Sequence, residues 1–222
     1  MIQKIYWLLL LSVLPCKISA FTYTYKGQTL DYNVIDTKNN LVAVSSFEGW
    51  SVTGDLVIPQ TVSHGANDYS VTKINEKAFM GTPHVLTIEI PNTITEIGNE
   101  AFAECKSLIS LKMHNLVKKI GYRAFKNCSH LHEVTLSDSI TILGQETFLS
   151  CGALEVINLP ACLQYLGPSV FEGCSSLKSI TAPDNLIKIG DMAFSWCQKL
   201  ETVELSNNIT QIGEYAFNKC SA

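Results

Sequence analysis

From Ile74 onward the chain repeats with a period of 23 residues, and a period of that size decides the architecture before any local preference is weighed. Stepping by 23 gives Ile74, Ile97, Ile120, Leu143, Leu166, Ile189 and Ile212. Five residues after each stands a phenylalanine: Phe79, Phe102, Phe125, Phe148, Phe171, Phe194 and Phe217. The residue before it is small or branched, as in Ala78, Ala101, Thr147 and Val170. Glycine follows the aliphatic residue in every unit except the first, which has Asn75. Both residue types tolerate positive φ, so a left-handed turn is expected at that position.

A second apolar set follows with 3-then-2 spacing, as in Leu154, Ile157 and Leu159, which passes from a turn into an extended strand. Its counterparts are Val85/Ile88/Ile90, Leu108/Leu111/Met113, Leu131/Val134/Leu136, Leu177/Ile180/Ala182 and Leu200/Val203/Leu205. No single unit can bury such a set alone. The strands must therefore stack in parallel, about 4.8 Å apart, around one continuous core. The other half of each unit, such as IGNEAFAEC from Ile97 to Cys105, places Ala101, Phe102 and Cys105 at helical spacing and predicts a short helical turn on the convex side. Cys105, Cys128, Cys151, Cys174, Cys197 and Cys220 share the period, and Cys162 lies off it. The phased cysteines are expected as reduced, buried side chains, because stacking holds them near the inter-strand spacing whereas a disulfide needs Cβ atoms about 3.8 Å apart.

The pattern I-G-x-x-A-F-x-x-C-x-x-L-x-x-I-x-L-P-x-x-I is nearly intact in LGQETFLSCGALEVINLPACL, from Leu143 to Leu163. It resembles the BspA-like class of leucine-rich repeats, and the resemblance extends over residues 74–222. It implies an α/β solenoid: a right-handed superhelix with a parallel β-sheet on the concave face, short helical turns or irregular segments on the convex face, and a β-rich N-terminal cap. It also implies a secreted or cell-surface, adhesin-like protein whose partners are extracellular-matrix or host-surface proteins. It brings no catalytic motif.

Residues 21–73 differ in texture. FTYTYKG, TLDYNVID, NLVAVSSF and GDLVIP alternate apolar with polar residues, which predicts strands joined as hairpins. The segment LVIP, Leu56 to Pro59, resembles a strand end of the repeat, and YSVTKI leads into Ile74. This stretch reads as a β-rich cap fused to a degenerate first repeat, with Trp50 and Tyr69 covering the open core. Residues 1–20, MIQKIYWLLLLSVLPCKISA, combine an early lysine, an apolar run from Ile5 to Leu14 and Ala20 at a cleavable position, the features of a signal peptide. The run is shorter than the roughly 20 residues a transmembrane helix needs. Lipid attachment at Cys16 competes with this reading, but Val13-Leu14-Pro15 lacks the small residue expected before a lipidated cysteine. Residues 1–20 hold two of the 16 basic residues and none of the 20 acidic ones, so removing them leaves 14 against 20, a balance of −6 that disfavours nucleic acid. At the other end, Cys220-Ser221-Ala222 stops short of the next strand, and self-association through an uncapped C-terminal repeat, or fraying there, is expected.

No G-x-S-x-G elbow, Walker loop or H-E-x-x-H occurs, and the glycines follow the repeat, so neither an enzyme nor a cofactor is expected. His130 and His132 flank Leu131 without a third phased ligand, which reads as exposed histidines and not as a metal site. The candidate surface is the concave sheet, where outward side chains form two columns. One runs Thr87, Ser110, Glu133, Val156, Ser179, Thr202; the other runs Glu89, Lys112, Thr135, Asn158, Thr181, Glu204. A simple solvated face competes with a binding role, since neither column has the Trp, Tyr or Arg that dominate hot spots. The alternative function is a glycan-binding accessory protein, for which Trp196 is the stacking candidate.

Overall fold

The computed structural model describes residues 20–45 and 52–221. The proposed leader with Cys16, and Trp50 in the cap, lie outside the described residues, apart from Ala20. Strands β1 (Ala20–Tyr25), β2 (Gln28–Asp36) and β3 (Leu41–Val44) form an antiparallel meander. Lys26 and Gly27 turn the first hairpin with φ of 47° and 78°, the paired positive values of a two-residue turn matched to strand twist. Next come β4 (Gly54–Val57), β5 (Thr61–His64) and β6 (Asn67–Ile74). β5 folds back on β6, β6 lies parallel to β3, and Phe21 packs among Tyr32, His64 and Tyr69. Tyr69 is buried at this end of the core.

Each later unit contributes a main strand and a two-residue strand, except the unit of residues 155–159, which has the two-residue strand alone. They run β7 (Val85–Glu89), β8 (Glu96–Ile97), β9 (Ser110–Lys112), β10 (Lys119–Ile120), β11 (Glu133–Thr135) and β12 (Ile142–Leu143). β13 (Tyr165–Leu166), β14 (Ser179–Thr181), β15 (Lys188–Ile189), β16 (Thr202–Glu204) and β17 (Gln211–Ile212) follow. All pairings among these strands are parallel and in repeat register: Thr87 lies opposite Ser110, and Ser110 opposite Glu133. β4 heads the main sheet with Asp55 opposite Thr87, a longer sequence step because the β5–β6 hairpin is inserted between them.

The segment between each two-residue strand and the next main strand takes the irregular form, not the helical one, of the two expected: among the described residues there is no helix. Two residues per unit adopt positive φ, Glu100 (53°) and Glu104 (62°) in one unit, Arg123 (58°) and Asn127 (60°) in the next, and a helix cannot pass through such residues. The backbone amides turn sideways instead. Lys77, Phe79 and Gly81 donate to the carbonyls of Asn99, Ala101 and Ala103, and the same three bonds, 2.7–3.0 Å, recur at each junction up to Trp196 with Asn218. This third ladder carries the phenylalanine stack, with neighbouring ring centroids 5.2–5.6 Å apart and planes within 16°.

The glycine expectation is also corrected. Gly98, Gly121, Gly167, Gly190 and Gly213 do not have positive φ. They are glycines because the preceding rung passes so close that a Cβ would meet its atoms at 2.3–2.7 Å. The left-handed positions lie two and six residues further on; at the second, Gly81 and Gly173 have φ near 72°, and Glu104, Asn127, Ser150, Trp196 and Lys219 have φ near 60°.

The seven described cysteines are free thiols. In all six phased cases Sγ donates to the carbonyl of the phenylalanine 26 residues earlier, from Cys105 to Phe79 O (3.1 Å) through to Cys220 to Phe194 O (3.3 Å). Burial pushes the thiols of Cys151 and Cys197 up to about 12, so they stay protonated and unreactive in the native protein.

Candidate functional site

The two predicted columns stand on the main sheet in register. Thr87, Ser110 and Ser179 are half-buried between neighbours, while Glu89, Lys112, Glu133, Thr135, Asn158, Thr181, Thr202 and Glu204 are exposed. Cross-rung bonds fix several side chains: Lys112 Nζ donates to Glu89 Oε1 at 3.3 Å, His114 Nε2 stands 3.5 Å from the same oxygen, and Thr181 Oγ1 donates to Glu204 Oε2 at 3.1 Å. These surface contacts are each worth under about 1 kcal/mol; their effect is to order the face.

The columns are interrupted at the fourth strand position. Ile90 N bonds Lys112 O, Met113 N bonds Thr135 O and Ala182 N bonds Glu204 O, each at 2.8–3.0 Å. The equivalent bonds from Leu136 to Asn158 and from Leu159 to Thr181 are absent among the described residues, and 155–159 forms no strand. The short-strand ladder breaks one step away. Gly121 and Gly167 donate to Ile97 O and Leu143 O, but Gly144 has no such bond to Ile120 O. A Cβ on Gly144 would find its nearest neighbour at 3.8 Å. Val156, the outward residue of this rung, is exposed beside a cleft of about 310 Å³ bounded by Asn158, Ser179 and Thr181.

The columns also begin earlier than sequence spacing revealed, with Asp55 and Val57 one rung ahead of Thr87 and Glu89. Above them hangs the β1–β2 turn. The Gln28 side chain fastens it: Nε2 donates to Asp55 O (2.5 Å) and Oε1 accepts from Val57 N (3.0 Å), so one carboxamide pairs with the open edge of β4 as a neighbouring strand would. Between turn and sheet lies a cleft of about 580 Å³, bordered by Tyr25, Lys26, Asp55, Thr87, Glu89 and His114.

Trp196 is 47% exposed on the turn side, in a left-handed conformation, with the Lys219 ammonium 5.7 Å from its ring centroid. It lines neither cleft. Nearby turns carry a charged column instead: Lys77, Glu100, Arg123 and Glu146 alternate in sign, with Arg123 Nε 2.8 Å and Lys126 Nζ 3.0 Å from Glu146. Hydrogen bonds led by Arg123 hold the Glu146 carboxyl down at about 2. His130 Nδ1 sits 2.7 Å from Lys106 O, and among the described residues no three His, Cys, Asp or Glu side chains converge to hold a metal ion.

With this geometry established, the sequence matches the profile of the BspA type leucine rich repeat region, in six copies spanning residues 45–178 and 141–222. A leucine rich cell surface protein from Faecalibacterium prausnitzii is similar in structure, with 30% identity over 90% of this chain and a TM-score of 0.75. A leucine-rich repeat protein from Bacteroides ovatus shares 30% identity over 89% of this chain, with a TM-score of 0.64. The chain spans about half of the first protein (52%) and 57% of the second. The leucine rich repeat protein of Treponema pallidum has the same fold at 23% identity, with 86% of each chain covered and a TM-score of 0.79. No match was found among curated proteins. Among the described residues no helix is long and apolar enough to cross a membrane. With a 23-residue rung, a stacked phenylalanine spine and a family profile covering most of its length, the chain belongs to the BspA-type leucine-rich repeat family.

Proposed function

We propose that this is an adhesin-like module, exported by residues 1–20, whose main sheet face binds an extracellular-matrix or host-surface protein. The observation that carries this reading is the ordered face itself: exposed polar and charged side chains in register on a scaffold held by three backbone ladders. Such a scaffold loses little entropy when a partner docks, which favours binding over a broad area even without aromatic anchors. The F. prausnitzii protein, similar over most of this chain, is described as a cell surface protein, which fits the same setting.

The test is a surface-plasmon screen of the chain from Phe21 onward against purified matrix proteins, repeated with Lys112→Glu and Glu133→Lys. Binding that falls by about tenfold or more in the charge-reversed forms supports the reading, in line with like-charge juxtaposition across an interface. Partner binding that ignores both reversals places the interface elsewhere. N-terminal sequencing of protein exported by a suitable host checks the leader.

A further inference from the structure

We propose that the cleft beneath the β1–β2 turn is a separate binding site for a neutral, hydroxyl-rich ligand, a short oligosaccharide. Three observations lead there. First, the cleft is preformed. Its roof is a two-residue turn with both central φ values positive, and the Gln28 carboxamide ties that turn to the backbone of β4. Its volume of about 580 Å³ falls within the ordinary range of small-ligand sites, about 300–1,000 Å³.

Second, its two carboxylates are each half used. Asp55 accepts the Thr87 hydroxyl on Oδ1, and Glu89 takes Lys112 and His114 on Oε1. Asp55 Oδ2 and Glu89 Oε2 have no protein partner among the described residues, so each is an oriented acceptor with free lone pairs. Ligand hydroxyls are donors of the kind those oxygens lack, and hydrogen bonds to ionised acceptors are the strong ones.

Third, the charge is already balanced. Lys26 and Lys112 offset Asp55 and Glu89, and the Lys26 ammonium stands 5.6 Å from the centroid of the Tyr25 ring. A basic side chain seeking that ring would meet a cation already in place, and an acidic one would face two carboxylates. A neutral sugar is repelled by neither charge: its apolar C–H face packs on the partly exposed Tyr25 ring, and its hydroxyls reach the two free oxygens. The cleft shares Glu89 and its partner Lys112 with the predicted strand columns, while Tyr25, Lys26 and Asp55 belong to the cleft alone.

Saturation-transfer NMR and calorimetry on the chain from Phe21 onward would use maltotriose, cellotriose and chitotriose as probes, with trilysine and triglutamate as charged controls. At least one trisaccharide should bind with Kd in the millimolar range or tighter (~4 kcal/mol) and little salt dependence. Tyr25→Ala should weaken it by about three- to tenfold, the reach of an aromatic contact, while Tyr25→Phe retains it. Asp55→Asn and Glu89→Gln should each weaken it as well. Because Tyr25 is the exposed last residue of β1, unchanged circular dichroism separates lost binding from lost folding. Three outcomes overturn the proposal: no trisaccharide binds, binding is unchanged in Tyr25→Ala, or trilysine binds in a salt-sensitive way while the sugars do not.

Discussion

The glycine after each aliphatic residue offers a pair of substitutions with opposite expected signs. At Gly190 a Cβ would stand 2.6 Å from Pro168 N and 2.7 Å from Gly167 C, where ordinary contact begins at 3.4 Å. Those are backbone atoms of the preceding rung and cannot swing aside. Alanine must therefore push two rungs apart, overpacking the junction at about 1–3 kcal/mol and straining the 2.8 Å bond from Gly190 N to Leu166 O, worth about 0.5–1.5. Against this, alanine restricts the unfolded chain and returns about 0.4–1 kcal/mol. The net expectation is destabilisation by about 1–3 kcal/mol. At Gly144 the nearest atom to the added methyl is Ile120 O at 3.8 Å, and φ is not positive, so only the unfolded-state term remains. Gly144→Ala should be neutral or stabilising by up to about 1 kcal/mol. Urea unfolding followed by circular dichroism, with slopes compared to confirm an unchanged transition, measures both. Equal losses at the two sites, or a larger loss at Gly144, would refute the stacking fault and the close-approach account together.

Phe148→Ala empties a fully buried site between Phe125 and Phe171 and should cost about 3–5 kcal/mol, whereas Thr135→Ala on the exposed face should cost under about 0.5; the same unfolding assay distinguishes them. Thiol titration of the denatured, unreduced chain from Phe21 onward should find close to seven free cysteines, with the half-buried Cys162 and Cys220 reacting first in the native protein. A count of one or none would mean disulfides in place of the buried ladder. Glu146 has its carboxyl held at about 2 against an ordinary 4.5, so its contribution to stability is present above pH 4.5 and lost as pH falls through about 2. Glu146→Gln should flatten that part of the acid-unfolding curve, removing about 1–2 kcal/mol near neutral pH once the exposure of Arg123 is discounted.

What sequence spacing could and could not reveal follows from where each constraint acts. Phe148 and Cys151 were legible because a solenoid repeats its core, and a side chain buried once per rung must reappear at the same phase. The main-strand columns were legible for the same reason, since strand alternation fixes which residues face outward. The convex segment was misread because Ala101, Phe102 and Cys105 have a spacing that a helix and a chain of tight turns both satisfy. The sign that excludes a helix is the Glu104 column, where Gly81, Gly173 and Asn127 mark a left-handed residue in every unit. Gly190 was misattributed for a different reason: its constraint comes from the rung before it, and within a single unit close approach looks the same as conformational freedom.

The functional surface was the least legible part, and the cause is physical. A repeat preserves what must pack, while binding depends on side chains that packing leaves free. Asp55 escaped notice because the inserted β5–β6 hairpin puts it out of phase with Thr87, although the sheet brings the two side by side. Tyr25 escaped because its position over the sheet depends on Gln28, a surface glutamine whose pairing with β4 has no signature in the repeat. The cleft therefore arises where periodicity ends: the β1–β2 hairpin supplies an aromatic ring that the strand columns lack, and the first rungs supply carboxylates oriented by their neighbours. A solenoid of identical rungs presents the same chemistry at every step, so selectivity has to come from its irregularities. In this chain those irregularities are the cap junction and the fault at residues 155–159, and they are the places where substitutions should alter recognition while leaving the spine intact.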